Sequence, residues 1–357
     1  MSPSRFDSFP EQPEAKRLLA AALNDGQAHA YLFHGPRGVG KRRAAEAFAQ
    51  ELLGGDPRVA RRSHPDVYVV EPLGDQIRIG EIRDLRRDLH MRPFEASRRV
   101  YLVLGADVLN DEAADALLKD LEEPPEYAII ILVADDLGPV PETIRSRCQL
   151  VPFRRLSERA VREELAQRAP GLEEDAVTAL ARVAAGRLDR AERLLDPEAA
   201  KRRDALIQVA RSVYREPAFE PADAAERLLD GIGDFGRAVR ERAEQEVERM
   251  QLTARDAQQR VRRAQRGAER DELLAQLEEL AAWYRDLVVV AAGADETVIH
   301  YDRLSELRED AARERMLGAE RACEAVRQTW RNLEEFQLSA GLALAGLLTQ
   351  LRRELVA

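Results

Sequence analysis

Cysteine is nearly missing from this chain. Its two copies in 357 residues, Cys148 and Cys323, lie far apart in sequence and cannot supply a disulfide framework or a four-cysteine zinc site. They are expected as reduced thiols, buried or half-buried. Long apolar runs are missing as well: no stretch approaches the roughly 20 residues that span a bilayer, and Met1-Ser2-Pro3-Ser4 leads into no signal-peptide core. A cytoplasmic protein with no membrane partner is the expectation. Nor is there an excess of positive charge, since 55 Lys and Arg face 65 Asp and Glu. The formal net charge of −10 argues against a general nucleic-acid coat and leaves room for local basic contacts. What the chain does have is length, 357 residues, 34% charged and 45% hydrophobic, enough for two or three domains with their own cores.

The stretch Gly35-Pro36-Arg37-Gly38-Val39-Gly40-Lys41-Arg42 matches the phosphate-cradling pattern Gly-x-x-x-x-Gly-Lys-Ser/Thr everywhere but at its last position. Gly35, Gly38 and Gly40, with Val39 between, allow a tight turn that aims successive N–H groups at a polyphosphate, and Lys41 would reach the outer phosphates as a point charge. The flanks agree: Tyr31-Leu32-Phe33 suits a buried strand, and Arg43 to Leu53 has helical apolar spacing closed by Gly54-Gly55. Arg42, however, stands where a hydroxyl helps to hold Mg²⁺. It has no oxygen to offer, and its guanidinium would repel the metal. The loop is therefore expected to be degenerate and to lack a metal site, with nucleotide phosphates as the ligand that Gly35, Gly38, Val39, Gly40, Lys41 and Arg42 could hold.

Along the rest of the first half, short apolar runs alternate with helical spacings. Phe9 to Gly26 reads as a helix with Ala15, Leu18, Leu19 and Leu23 inward. Asp66 to Val70 and Val100 to Leu104 read as strands, Ile129 to Val133 as a wholly apolar one, and Gln149 to Phe153 as the last. Between them fall helices at Gly80 to His90, from Asn110 to Pro124-Pro125, and a short one in Pro141 to Cys148. That alternation predicts a doubly wound parallel sheet of class α/β. Arg83, Arg86 and Arg87 share one face of the Gly80 to His90 helix and read most simply as solvated, with a partner or DNA phosphate as the sharper alternative. The third strand ends in Leu104-Gly105, without the acids a nucleotide hydrolase needs there, and Asp107 reads as a loop or capping residue.

The remainder is helical. Ser157 to Ala169, Glu173 to Ala185 and Leu188 to Leu195 form a small bundle, and from Lys201 onward only Thr297 to Ile299 hints at a strand. Val247, Met250, Ala254, Ala257, Val261, Ala264 and Ala268 follow alternating three- and four-residue steps amid Arg, Glu and Gln, as in an exposed helical arm near residues 237–282. Gly267 and the phase change to Leu273, Leu274, Leu277 and Leu280 predict that the helix bends or turns back there. Trp283 to Ala292 and Gly341 to Leu351 should anchor the C-terminal core, with Trp330 and Phe336 between them. The expected domains are 1–155 for the P-loop fold, 156–200 for a helical lid and 201–357 for an all-helical C-terminal domain.

Four motifs in order carry a resemblance: Gly35 to Lys41, His64-Pro65-Asp66, Ala116-Leu117-Leu118-Lys119-Asp120-Leu121-Glu122-Glu123-Pro124-Pro125, and Ser146-Arg147-Cys148. Together they resemble the AAA+ clamp-loader subunits of bacterial DNA polymerase III, of the delta-prime type, strongly over residues 6 to about 195. The resemblance implies an AAA+ domain, a lid and a collar, in a hetero-pentamer with gamma/tau motor subunits and delta that loads a sliding clamp onto primed DNA. It further implies that Arg147 is an arginine finger placed against the ATP of a neighbouring subunit. Departures from the motor pattern are Arg42, the missing acids at Leu104-Gly105, Ala134-Asp135 in place of a polar sensor, Asp189 in place of a sensing arginine, and a Gly54 to Pro65 segment without a zinc module. No cofactor would be required, although ATP or ADP could be held without hydrolysis. Two alternatives stay open, an active gamma/tau-like ATPase and a helical scaffold that binds through its arm.

Overall fold

The computed structural model describes residues 6, 8–74, 76–248, 253–335 and 338–356. Met250 and Phe336 lie outside them. Contact density divides the chain into two units, Met1–Glu164 with Gly186–Asp189, and Leu165–Ala185 with Arg190–Ala357.

The first unit is built on five strands, β1 (Ala30–His34), β2 (Val67–Val70), β3 (Arg99–Leu104), β4 (Ala128–Ala134) and β5 (Gln149–Pro152). They pair in the order β2-β3-β4-β1-β5, every pair parallel, with Leu32 opposite Leu132 on one side and Leu150 on the other. Because successive side chains leave a strand on opposite faces, the unit has two cores. One gathers Tyr31, Phe33, Val100, Leu102, Ile129 and Ile131 with residues of α1 (Pro13–Asp25) and α2 (Lys41–Leu52), Phe48 among them. The other gathers Leu32, Tyr101, Val103, Ile130 and Leu132 with residues of α3 (Ile79–Leu89) and α4 (Asp111–Glu122). All seven residues of β4 are buried, as a strand covered on both faces requires. Asn110 caps α4 by accepting from the Ala113 amide at 3.0 Å. A four-residue helix, α5 (Glu142–Arg145), leads into β5.

The face of α3 departs from the solvated reading at one position. Arg86 reaches across to α4, its Nε 2.7 Å from the carboxylate of the buried Asp120, and so serves as an internal tie. Arg83 is exposed, and Arg87 pairs with Asp84 on its own helix.

Helices α6 (Glu158–Arg168), α7 (Glu174–Ala184) and α8 (Leu188–Leu195) follow, then α9 (Pro197–Arg215), α10 (Pro221–Val247), α11 (Ala254–Ala291), α12 (Leu304–Asp310), α13 (Met316–Glu335) and α14 (Ala340–Val356). In the second unit α9, α10, α11, α13 and α14 enclose an aliphatic core around the fully buried Trp283 and Tyr284. Leu344, Leu347, Leu348 and Leu351 of α14 are buried in it, and Trp330 packs against its edge. Helix α11 runs unbroken through Gly267, so the chain does not turn back there: the phase change marks where an exposed end passes into the core, not a break in the helix. Helix α10 packs against α11. They meet so closely at Gly236 that a Cβ there would lie 2.5 Å from Glu269 Cγ. Thr297 to Ile299 forms no strand; Asp295–Thr297 is a 3₁₀ turn. Among the described residues no helix is long and apolar enough to cross a membrane.

A buried acidic stripe crosses this core. Glu272, Glu279 and Asp286 recur every seven residues on α11, and each is met by cations, those of Glu272 and Glu279 from other helices and that of Asp286 from α11 itself. Arg193 and Arg202 hold Glu272, Arg190 and Arg203 hold Glu279, and Arg285 holds Asp286. The imidazole of His300, wholly buried, bridges two of them, with Nδ1 2.9 Å from Asp286 and Nε2 3.0 Å from Glu279. Burial opposes the charge on His300, but the charge of Glu279 and hydrogen bonds to both acids outweigh it and raise its pKa. Burial likewise opposes the charge on Glu279, and Arg190, His300 and Arg203 hold its pKa well below the usual carboxylate range.

The signs follow by linkage. Stability resting on charged His300 is complete below its ordinary pKa of 6.5 and is lost as pH rises through the raised value of the folded state. Stability resting on Glu279 is present above 4.5 and is lost as pH falls through its depressed folded value. Tryptophan fluorescence reads this unit, since Trp283 and Trp330 both lie in it. The melting temperature it reports should fall as pH is raised from about 6 to about 9, and His300→Gln should flatten that slope while costing about 3 kcal/mol at neutral pH.

Candidate functional site

In open parallel α/β sheets the carboxyl ends of the strands are where ligands bind, and here that edge carries the glycine loop. Strand β1 ends at His34, the loop covers residues 35–40, and α2 begins at Lys41. Gly35, Gly38 and Gly40 have φ of 138°, 75° and 94°, in the left-handed region that favours glycine. Space confirms the need at two of them. A Cβ on Gly35 would overlap the backbone carbonyl of Phe153, and one on Gly38 would overlap the carboxylate of Asp189, lying 2.5 Å from its Cγ. Val39 is buried beneath the loop.

Lys41 does not extend into an open cradle. Its side chain is 3% exposed, and Nζ donates to Gly35 O at 2.6 Å and Pro36 O at 2.7 Å while pairing with Asp135 Oδ1 at 2.7 Å. An ammonium has three donors, and these three acceptors account for all of them. Beside it, burial and then the charge of Lys41 lower the pKa of His34, which keeps that ring neutral. Asp107, on a short 3₁₀ turn after β3, swings back toward the end of β4 and accepts from the amides of Asp135 and Asp136 at 3.0 and 3.2 Å. It caps that turn. Burial, and secondarily the charge of Asp135, raises its pKa.

Arg42 projects to a surface network with Glu46 at 3.4 Å and with Glu71, which Arg62 also reaches at 3.0 Å. A guanidinium already paired with carboxylates occupies the motif position of the metal-binding hydroxyl. These residues do not fit a Mg²⁺ ion.

Arg147 lies in the turn between α5 and β5, with its side chain 35% exposed. Nη1 donates to Thr143 O at 2.8 Å and to Ser146 Oγ at 3.4 Å, and Nη2 pairs with Glu122, the last residue of α4. Two of the sequence motifs thus meet side chain to side chain, although nothing in their spacing announced it. The hydrogen-bond partners of Arg147 are distinct from those of Lys41. Arg145 pairs with Glu142 on its own helix. Burial pushes the neighbouring Cys148 thiol up to about 12, so it is no nucleophile at neutral pH. The third motif is architectural: the buried carboxylate of Asp66 accepts from the amides of Phe94, Glu95 and Ala96 at 2.6, 3.0 and 2.9 Å. His64 Nδ1 accepts from the Asp66 amide at 3.1 Å.

A glycine loop joining β1 to α2 at the edge of a five-stranded parallel sheet, in the strand order given above, defines a P-loop fold of the AAA+ type. Within that class, residues 11–157 match the family described as DNA polymerase III, delta subunit. The chain is 32% identical over 167 residues to DNA polymerase III subunit delta' of Bacillus subtilis, an overlap covering 43% of this chain and 51% of that protein. It is 34% identical over 173 residues to subunit tau of the same organism, 44% of this chain and 31% of that protein. Among solved structures, a DNA polymerase III gamma subunit-related protein from Thermotoga maritima has a TM-score of 0.49 at 18% identity, covering 96% of this chain and 99% of that one. The chain spans about half the length of the delta' relative and less of the tau relative. Over the matched residues it is delta-prime-like.

The Asp66 clamp is open to test. Asp66→Ala leaves three amides without their acceptor and should cost about 2 to 3 kcal/mol in urea unfolding followed by far-UV circular dichroism, and Asp66→Asn, which keeps an oxygen acceptor, should cost less.

Proposed function

We propose that this chain is a clamp-loader subunit of the delta-prime type, cytoplasmic and non-hydrolysing, assembled with gamma/tau motor subunits and delta into a hetero-pentamer that loads the sliding clamp onto primed DNA. The observation that carries the reading is Arg147. It is a cation on an exposed turn, within the Ser146-Arg147-Cys148 motif and inside the delta-prime-like residues, held by the surface carboxylate of Glu122 and by oxygens of Thr143 and Ser146. In this role Arg147 leaves Glu122 and meets the terminal phosphate of a neighbouring subunit's ATP. A fixed guanidinium there neutralises the charge that develops as the phosphoryl group departs.

An active ATPase of the gamma/tau kind is disfavoured by the P-loop itself. Arg42 cannot ligate a metal, Lys41 has no proton left for a phosphate, and the acid nearest β3, Asp107, is engaged in capping the end of β4.

The test is ATP turnover by the reconstituted complex in the presence of clamp and primed DNA. Arg147→Ala should slow hydrolysis at the neighbouring site by roughly 10³ to 10⁵ while the complex still assembles by gel filtration, and the isolated chain should hydrolyse no ATP above background. Unchanged single-site turnover in an intact Arg147→Ala complex refutes the finger assignment.

A further inference from the structure

We propose that Asp135 and Asp189 stand in for phosphate groups in the P-loop, so that the nucleotide site is filled by the chain's own carboxylates, and that neutralising both converts the loop into a binding site for a nucleoside polyphosphate. This is separate from the role of Arg147 and does not rest on it.

The first ground is steric. The Asp189 carboxylate lies directly on Gly38, the central glycine of the loop, where only the absence of a Cβ admits it. The segment carrying Asp189 is fixed there from both sides. The Leu188 amide donates to Gly38 O at 2.7 Å and the Leu156 amide to Gly186 O at 3.1 Å. Gly186 itself sits at φ 80°, so close to the chain that a Cβ would lie 2.5 Å from Leu156 O. Asp189 lies in the first turn of α8, immediately after this anchored turn.

The second ground is charge. Arg37 Nε lies 3.4 Å from Asp189 Oδ2, and Arg187 donates to the same carboxylate at 3.1 and 2.8 Å. Lys41 is matched by Asp135. Three cations that could face a polyphosphate are each already turned toward a carboxylate. A carboxylate is planar, anionic and rich in acceptors, as a phosphate oxygen face is, so it satisfies the same donors at lower charge. A polyphosphate entering the loop must therefore displace two anions. Replacing them by neutral amides removes the charge by which Arg37 and Arg187 hold the side chain at 189 over Gly38, so that it can turn aside, and leaves Arg37, Lys41 and Arg187 with net positive charge. Because Arg42 occupies the metal-binding position, the site so opened takes its ligand without a coordinated Mg²⁺.

The experiment is isothermal titration of the full chain with ATP, with and without Mg²⁺. The unaltered chain should show no saturation into the millimolar range. Asp189→Asn should tighten binding about tenfold and Asp135→Asn with Asp189→Asn about a hundredfold, in line with removal of one and two charges at close range. Adding Lys41→Ala to the double variant should abolish the gain. The proposal is overturned if the unaltered chain binds as tightly as the double variant, or if the double variant, folded by circular dichroism and with an unshifted melting curve, still binds nothing. Should the double variant fail to fold, Asp189→Asn alone decides, since an unchanged affinity in that folded single variant also overturns the proposal.

Discussion

A buried ammonium must have a partner for each of its protons, and the P-loop of this chain is arranged around that requirement. Leaving a charge such as that of Lys41 uncompensated at 3% exposure would cost several kcal/mol, far more than a surface ion pair returns. In a nucleotide-bound P-loop the phosphates meet the need. Here Gly35 O, Pro36 O and Asp135 do so, and the loop keeps its glycine geometry because its backbone still wraps a buried cation. The glycines thus have a structural reason to be present that is independent of catalysis. Gly38 in particular is needed for the approach of Asp189, whatever else once occupied that space.

The same accounting of charge explains the second unit. Its core carries three acids spaced by seven residues on α11, and arginines from α8 and α9 are drawn in to meet the first two, Glu272 and Glu279. Such pairs add little net stability over an apolar core, but they are exacting about position, because removing one partner strands the other in low dielectric. His300 closes the network by bridging Glu279 and Asp286, at a site remote in sequence from any binding motif.

Much of the fold was legible because two periods are hard to mistake. A short run rich in β-branched residues, such as Ile129 to Val133, fits a strand covered on both faces, as found, and Ile82, Leu85 and Leu89 fall on one side of a helix, buried as their spacing required. What failed depended on tertiary neighbours. A lone glycine at 267 does not stop a helix of 38 residues whose continuation is held in a core, and Thr297 had no partner strand to join. Arg86 looked solvated because its partner Asp120 lies 34 positions away on another helix. The site divided in the same way. The glycine loop, with Arg42 at its last position, could be read from one octapeptide. The roles of Asp135, Asp189 and Glu122 could not, because each acts on a residue more than 20 positions away, and Asp135 and Asp189 were visible only as departures from a pattern.

The two cations central to the functional reading differ most in what it takes to free them. Lys41 is enclosed, with its three donors used, and moving it to a phosphate requires breaking a buried pair and two hydrogen bonds to backbone oxygens. Arg147 is a third exposed, and its partner Glu122 is half exposed. A pair of that kind is worth about 0 to 1 kcal/mol, because water solvates either charge once they part. A charge-assisted contact with phosphate in a closed, desolvated site exceeds that several times over. Glu122 can therefore hold the guanidinium in place on the lone subunit without competing seriously against a neighbour's nucleotide. By the same comparison the P-loop lysine, although it carries the familiar motif, is the cation less able to act.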